Sequence, residues 1–306
     1  MKCYLSLVVT IVAIVGLGEA ATTSSLASNV AQTIDRNIFA ADFYNAVASE
    51  KLNDNVVVSP AAVQISMALA FYGAKGKTAT EMQTGLRLGS SDPEQVVRRF
   101  ADFQQKAFRT DKTSRRSFSA GGRQTYQVDT MWTLNNFNYG EYKNLDAKAV
   151  ELPYQNTDFS MVIILPNRKD GLRDLLQSLK NKNLVAVLDE GFSSQKVEIY
   201  LPKFSVAFNT NLEEPFKKLG VTTMFTRQGD FGNMYRMFVS HYINSANHKA
   251  YVDVSETGSE QPLETGGLKN LFSRTKKFDA DHPFVFAIKN KDSVIFMGHV
   301  ANYAYV

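Results

Sequence analysis

A long polar segment joins two strand-like runs near the C-terminus, and it constrains the fold more than any other feature of the sequence. The first run is rich in β-forming residues and ends at Val254, and the second begins at Pro283. Much of the chain between them is serine, threonine, glycine and charged residues. Long connections are uncommon inside a compact domain, and they usually carry function. The fold must therefore hold two strands at the ends of a long exposed loop.

The first twenty residues have the pattern of a secretory signal. Lys2 supplies a positive start, an uncharged apolar run extends from Leu5 to Leu17, and Gly18 and Ala20 are small residues suited to cleavage. This run is too short to span a membrane, and no later stretch has the eighteen uninterrupted apolar residues of a span. We expect residues 1–20 to be a signal peptide, and residues 21–306 to form one secreted, extracellular domain without membrane contact.

The mature protein would contain no cysteine, because the single one, Cys3, lies within the signal. A secreted domain without disulfides depends on its hydrophobic core. A chain of this length can bury about three-quarters of the surface that it exposes when unfolded. The net charge of +4 is small, and it does not suggest the concentrated basic face of a nucleic-acid-binding protein.

Helical periodicity dominates the first third of the chain. Apolar residues recur at helical spacing from Thr33 to Ala48, and a short apolar strand after Asn55 ends at the helix start Ser59-Pro60. A short helix is predicted from Thr78 to Leu86, with Thr78 as its N-cap. Another helix is predicted from Glu94 to Phe108.

The second half of the chain is rich in β-branched and aromatic residues bounded by turn formers, which predicts strands. Helical spacing returns from Leu172 to Leu188 and from Asn211 to Leu219. Helices first and mixed strands later, without regular alternation, predict an α+β domain. The predicted strands are residues 149–154, 159–166, 197–204 and 294–300.

These segments resemble landmarks of the serpin family, in the order in which serpins carry them. Asn55-Val-Val-Val-Ser-Pro is similar to the family's strand 6B and helix B start, and Val197-Glu-Ile-Tyr-Leu-Pro-Lys-Phe and Phe296-Met-Gly-His-Val follow in place. The resemblance covers nearly everything after residue 30. It implies a serine-type endopeptidase inhibitor rather than an enzyme, with a loop presented as bait to a serine protease whose identity the sequence leaves open.

The polar segment resembles the hinge and reactive loop of that family, which implies a reactive-loop region at residues 256–277. Counting from the hinge by the family's usual spacing places the scissile bond near Phe272 and Ser273. Phe272 at the primary specificity position would suit a chymotrypsin-like hydrophobic slot, whereas Arg274 would suit a trypsin-like acidic pocket. The hinge positions that match the family are Glu256, Gly258, Ser259, Glu260 and Thr265.

One departure from the family lies between Phe108 and Met131. Serpins carry roughly ninety more residues there, enough for several helices and strands. The resemblance therefore implies a deletion near residues 108–117, with helices E and F and part of sheet A missing. His248 resembles the family's shutter histidine and Ser59 its neighbour, but their asparagine partner belongs to the missing part.

A second departure lies in the hinge, where Gln261, Pro262, Leu263 and Glu264 replace the small residues of inhibitory members. Proline cannot donate to a β-ladder and is confined to sheet edges or bulges. Two alternatives to an inhibitor follow. One is a non-inhibitory secreted binding protein on a serpin-derived frame, and the other is a truncated isoform or incomplete gene model of a longer serpin.

No catalytic group, metal or cofactor is expected. The histidines lack the spacing of metal ligands, and His248, His282 and His299 fall in apolar strand contexts that favour a structural role. One basic cluster could contact a heparin-like polyanion weakly, although a solvated loop is the simpler interpretation. We expect a monomer. The cluster consists of Arg109, Lys112, Arg115 and Arg116.

Overall fold

The computed structural model describes residues 6–7, 23–88, 112–121, 124–154, 157–233, 241–255 and 275–304. Within them the chain forms helices first and mainly strands later, which is the predicted α+β class. The strands form one nine-stranded and one three-stranded sheet. In the part of the chain that the structure describes, no helix is long and apolar enough to cross a membrane.

In the described part of the chain, three helices precede all strands of the main sheet except β2 (Val56–Val58), and a local signal in the sequence explains how one of them begins. Helix α2 starts as predicted, because Ser59 Oγ accepts a hydrogen bond from the Ala62 N–H (3.3 Å) and proline occupies the first helical position. Helix α3 begins two residues before Thr78, so the predicted N-cap is wrong. The Thr78 hydroxyl instead accepts a hydrogen bond from the Asp230 N–H (3.0 Å). The helices are α1 (Thr23–Ala48), α2 (Pro60–Gly73) and α3 (Gly76–Gly85).

Among the described strands lie three short α-helices, and their bounds differ from the prediction. The predicted helix from Leu172 to Leu188 is two helices, because the chain turns at Asn181 (φ 57°) and Asn183 caps a new start. The predicted helix at 211–219 is shorter at both ends, since the preceding strand continues to Asn211. The predicted helix at 94–108 lies outside the described residues. The helices are α4 (Leu172–Leu179), α5 (Leu184–Gly191) and α6 (Glu213–Lys218).

The nine-stranded sheet contains most of the strands in an order that departs from the sequence. Along it the order is β10-β7-β4-β5-β6-β11-β12-β2, with β3 paired to β4. Its strands are β2 (Val56–Val58), β3 (Lys112–Ala120), β4 (Gln124–Tyr142), β5 (Ala147–Pro153), β6 (Ser160–Pro166), β7 (Ser193–Pro202), β10 (Lys276–Asp279), β11 (Phe284–Lys289) and β12 (Val294–Val300).

The three-stranded sheet is much smaller. Its order is β1-β9-β8, and β1 lies within the predicted signal. Strand β8 is antiparallel to residues 247–254 of β9 along its whole length, whereas β1 is parallel to β9 and pairs with only two of its residues. The strands are β1 (Ser6–Leu7), β8 (Phe204–Asn211) and β9 (Ser245–Val254).

The central strands β6 and β11 are buried on both faces, which explains their uninterrupted apolar sequences. Alternate residues of each strand enter two different cores. Val162, Ile164 and Val285 join the core that contains residues of α1 and α2, whereas Ile163 and Phe286 join a second core. That second core also contains apolar side chains of β8 and β9, so it connects the small sheet to the large one. The small sheet is thereby held against a fully packed frame.

Candidate functional site

The candidate site is the segment that connects β9 to β10, together with its two attachments. We call the end of β9 the upstream anchor and β10 the downstream anchor. The connecting residues 256–274 lie outside the described residues. They include every predicted hinge and scissile-bond position: Glu256, Gly258, Ser259, Glu260, Thr265, Phe272, Ser273 and Arg274, together with Gln261, Pro262, Leu263 and Glu264.

The upstream anchor is held by a long ladder to β8. The register runs from Asn247 opposite Asn211 to Val254 opposite Phe204. Along β9 the burial alternates, with Val252 and Val254 directed into the second core while Lys249 and Tyr251 are exposed. This alternation is the pattern of a strand in a sheet with one buried and one solvated face. It fixes the register, because a slip of one residue would expose the valines.

The other side of β9 is largely unpaired, and we call it the open edge. Strand β1 covers it only at Ser245 and Ala246. From Asn247 to Val254, no strand among the described residues pairs with this side of β9. A strand edge of this length presents unpaired N–H and C=O groups that can accept a further strand.

The downstream anchor is built differently, because β10 lies on the nine-stranded sheet. It is parallel to β7, with Lys276 opposite Val197, and its Phe278 side chain is fully buried. Lys276 Nζ donates to Glu141 Oε1 at 3.0 Å, and this hydrogen bond lowers the pKa of Glu141. The segment therefore leaves one sheet and enters another, with both of its ends fixed by β-ladders.

An arginine strengthens the downstream anchor. Arg116 of β3 donates to Asp279 Oδ2 at 2.6 Å, and its guanidinium lies 3.9 Å from the ring centre of Tyr200 on β7. A charge-assisted hydrogen bond combined with ring stacking makes full use of the planar guanidinium. No sequence pattern predicts this contact. The three residues are far apart along the chain, and nothing in the local pattern of any one of them reveals the others.

The predicted basic cluster is dispersed by this arrangement. Neighbouring strand residues point to opposite faces, so Arg115 is exposed while Arg116 faces Asp279. Arg115 also lies 3.9 Å from the exposed carboxylate of Asp129. Arg109 lies outside the described residues, and Lys112 is the first residue of β3. Contact with a polyanion at this place stays a prediction, and Arg116 already has an acidic partner.

His248 and Ser59 are brought together beside the open edge, as the resemblance implies. The Ser59 N–H donates to His248 Nε2 at 3.0 Å, while the Ser59 hydroxyl donates to the carbonyl of Ile295 at 2.8 Å. Because Nε2 accepts, the neutral ring carries its proton on Nδ1. That Nδ1 is buried and has no hydrogen-bond partner among the described residues. Burial lowers the pKa of His248 to about 4, so the ring is neutral at physiological pH.

The other two predicted structural histidines are also buried and hydrogen-bonded. His299 Nδ1 lies 2.7 Å from the hydroxyl of Tyr44, and its Nε2 donates to the carbonyl of Lys51 at 3.2 Å. Burial lowers the pKa of His299 to about 4. His282 contacts Asp281 and the carbonyl of Pro166. Within the described ranges, no group of three histidine, cysteine or acidic residues could hold a metal ion.

Comparison with known proteins points to one family. The family model described as Serpin (serine protease inhibitor) matches residues 35–107 and 104–303. The two matched segments meet next to the predicted junction at residues 108–117. Together they include both anchors and the segment between them.

Individual relatives support the match over most of the chain. Serine protease inhibitor 42Dd of Drosophila melanogaster is 23% identical over 360 aligned residues, which cover 85% of this chain and 95% of that protein. This alignment is longer than the 306-residue chain, so the relative carries residues that have no counterpart here. The leukocyte elastase inhibitor of Bos taurus is 31% identical over 65% of this chain and 55% of that protein. The chain spans about half the length of several curated relatives that it matches.

A solved structure agrees with the fold. The structure titled Cleaved Serpin 42Da superposes with a TM-score of 0.75 at 25% sequence identity. The superposition covers 91% of this chain and 100% of that chain. The order of helices and strands described above is therefore that of a known fold.

Proposed function

The chain belongs to the serpin family, whose members are protease inhibitors rather than catalysts, and on this premise we propose that it presents residues 256–277 as bait to a serine-type endopeptidase. The observation that carries the proposal is the pair of anchors. Strand β9 holds one end of the segment and β10 the other, on two different sheets. A segment tethered at both ends can be offered to a protease as an extended substrate.

The hinge residues would control what the segment does after it is cut. In this proposal Glu256, Gly258, Ser259, Glu260 and Thr265 form the hinge that follows β9. Phe272 and Ser273 flank the scissile bond for a chymotrypsin-like protease, and Arg274 offers the neighbouring site for a trypsin-like one.

Limited proteolysis tests whether the connecting segment is the part of the chain that a protease cuts first. Chymotrypsin should cut first after Phe272 and trypsin after Arg274, with the cut sites identified by mass spectrometry, because loop tips are preferred sites of nicking. In the Phe272→Ala variant the first chymotryptic cut should be lost while the tryptic cut remains. Arg274→Ala is the matched control and should show the reverse. First cuts outside residues 259–275 in the parent chain would contradict the assignment.

Secretion is the second part of the proposal. The charge of Lys2, the apolar run from Leu5 to Leu17 and the small residues Gly18 and Ala20 support an exported protein with cleavage near Ala20. N-terminal sequencing of material secreted by expressing cells tests this. A protein that keeps residues 1–20 and stays in the cytosol would contradict the proposed secretion.

The open edge favours a second candidate function, that of a non-inhibitory binding protein that is cut without trapping the protease. By resemblance, trapping requires the cut segment to become a strand of the small sheet between two neighbours. Strand β9 can be one of these neighbours, and within the described residues no strand stands where the other would be. Pro262 would also remove a donor from the inserted strand. The two candidates differ in whether a covalent complex with the protease survives denaturation.

A further inference from the structure

The open edge has a charge pattern that its role beside the reactive loop does not explain. Lys249 and Asp253 lie on the exposed face of β9, one on either side of Tyr251. Among the described residues neither side chain has an ion-pair partner. They are four residues apart in an extended strand, a separation of about 13 Å, so they cannot pair with each other within one chain. Two opposite charges thus stand symmetrically about one residue of an unpaired edge.

We propose that the open edge binds the open edge of a second copy of this chain, as an antiparallel pair on a two-fold axis at Tyr251. In this register Lys249 of each copy lies opposite Asp253 of the other, so that two ion pairs form from side chains that have no ion-pair partner among the described residues. A two-fold interface uses the same patch on both copies, which a self-complementary charge pattern satisfies. The strands would join two small sheets into one continuous sheet.

The faces of β9 and its charges select this register. A two-fold axis that passes through a residue places exposed residues opposite exposed ones and buried residues opposite buried ones. An axis that passes between two residues would place exposed residues opposite buried ones. An axis at Lys249 or at Asp253 would place like charges opposite each other, which is unfavourable. An axis at Ala250 or at Val252 would leave the charges without opposite partners. Tyr251 is the position that matches both charges.

The length of the edge also fits. With the axis at Tyr251, Asn247 of one copy lies opposite Ser255 of the other. Strand β1 covers Ser245 and Ala246, so the pairing uses the whole uncovered part of β9 and stops where β1 begins. Removal of residues 1–20 would lengthen the edge by those two residues without changing the register.

This interface replaces the expected monomer with a dimer, and it does not depend on whether the connecting segment binds a protease. The sequence gives no sign of this interface, because a strand pattern does not show which edges are covered. The open edge is a property of the fold.

Sedimentation velocity of the purified chain over a range of concentrations tests the interface. The parent chain should dimerise reversibly. Lys249→Glu and Asp253→Lys should each raise the dissociation constant at least about tenfold, because each turns two attractive cross-strand pairs into repulsive ones. The double variant, Lys249→Glu with Asp253→Lys, should dimerise again. An equimolar mixture of the two single variants should form heterodimers.

Lys196→Glu is the matched control, since it makes the same charge change at an exposed position of β7 on the other sheet. It should leave the dissociation constant unchanged. Circular dichroism establishes that each variant is folded, and all the substituted side chains are exposed. A parent chain that stays monomeric at every concentration, or a dimer that both single variants leave intact, would overturn the proposal.

Discussion

The two sheets hold opposite ends of one segment, yet they differ in how complete they are. On the nine-stranded sheet, β10 is fixed by its ladder to β7, by the buried Phe278 and by ion pairs to Glu141 and Arg116. On the three-stranded sheet, β9 has a full ladder on one side and an open edge on the other. The difference means that the two ends of the segment are held by different contacts. The downstream end enters a packed sheet, whereas the upstream end follows a strand that, among the described residues, is paired along its length on one side only.

The largest expected effect concerns trapping. Chymotrypsin-like and trypsin-like proteases should cut the connecting segment without forming a complex that survives SDS. Among the described residues only β9 could pair with an inserted strand, and Pro262 would leave one ladder acceptor without its donor, at a cost of about 1–3 kcal/mol. Since 1.4 kcal/mol is a factor of ten in an equilibrium constant, the inserted state loses up to about a hundredfold in stability, and we expect hydrolysis to finish first. Denaturing gel electrophoresis and thermal unfolding before and after cleavage measure the outcome, and the unfolding midpoint should not rise.

The Pro262→Ala variant separates the effect of the proline from the effect of the open edge. If the open edge is the main defect, this variant should also be cut without a stable complex. A near-stoichiometric covalent complex between the protease and the parent chain would show that the open edge does not prevent trapping, and it would support the inhibitor interpretation.

The second prediction compares packing in the two sheets. Phe286→Ala in β11 should lower the free energy of unfolding by about 3–5 kcal/mol, because it leaves a cavity in a fully buried site. The Phe286 ring lies 5.1 Å from that of Phe204, so the cavity would open where the two sheets meet. Tyr251→Ala, an aromatic truncation on the exposed face of β9, should change the free energy by no more than about 0.5 kcal/mol. Urea unfolding at low protein concentration measures both, and equal costs would contradict the comparison.

The third prediction uses one histidine from each sheet. Burial lowers the pKa of His248 in β9 and of His299 in β12 from 6.5 to about 4. The unfolded chain therefore binds protons below pH 6.5 that the folded chain does not bind until about pH 4. The contribution of these neutral rings to the free energy of unfolding is complete above pH 6.5, and it is lost progressively as the pH falls towards 4. Lowering the pH from 7 to 5 should therefore reduce the free energy of unfolding by about 2 kcal/mol for each histidine.

Urea unfolding at pH 7, 6 and 5 checks the histidine prediction. Glutamine at either position removes one titrating group, so His248→Gln and His299→Gln should each reduce the pH dependence by about half. Hydrogen bonds from Thr223 and Thr222 outweigh the effect of burial and lower the pKa of Glu81 to about 2. The contribution of this carboxylate to the free energy of unfolding is therefore lost at lower pH than the contribution of the two histidines. Stability that is constant from pH 7 to pH 5 would show that these rings are hydrated in the folded protein.

The smallest expected effect is at the downstream anchor. Arg116→Gln should lower the free energy of unfolding by about 1 kcal/mol, because it breaks a partly exposed charge-assisted hydrogen bond and leaves Asp279 without this partner. Arg115→Gln, one residue away on the exposed face, is the control and should change it by less than about 0.5 kcal/mol. Faster tryptic cutting near Thr275 in Arg116→Gln alone would show that the contact anchors the loop. Identical behaviour of the two variants would show that β10 is held by its ladder and by Phe278.

Much of the fold could be predicted because the signals are local. The Ser59-Pro60 helix start, the apolar runs of β6 and β11 and the alternation along β9 are each visible within a few residues. The errors have local causes as well. The helix predicted from Leu172 to Leu188 is divided where Asn181 takes a positive φ, which a search for apolar periodicity does not detect. The hydroxyl of Thr78, predicted to cap a helix, instead binds a backbone group distant in sequence.

By itself, the sequence determined the class of fold and the family, because periodicity, turn residues and ordered motifs are properties of neighbouring residues. Only the tertiary structure decided which side of β9 is open among the described residues, and that Arg115 and Arg116 lie on opposite faces. It also decided that the Nδ1–H of His248, beside Ser59, has no hydrogen-bond partner in the described part of the chain. These facts depend on which distant segments come to lie next to each other. A strand has the same sequence whether its edge is covered or free.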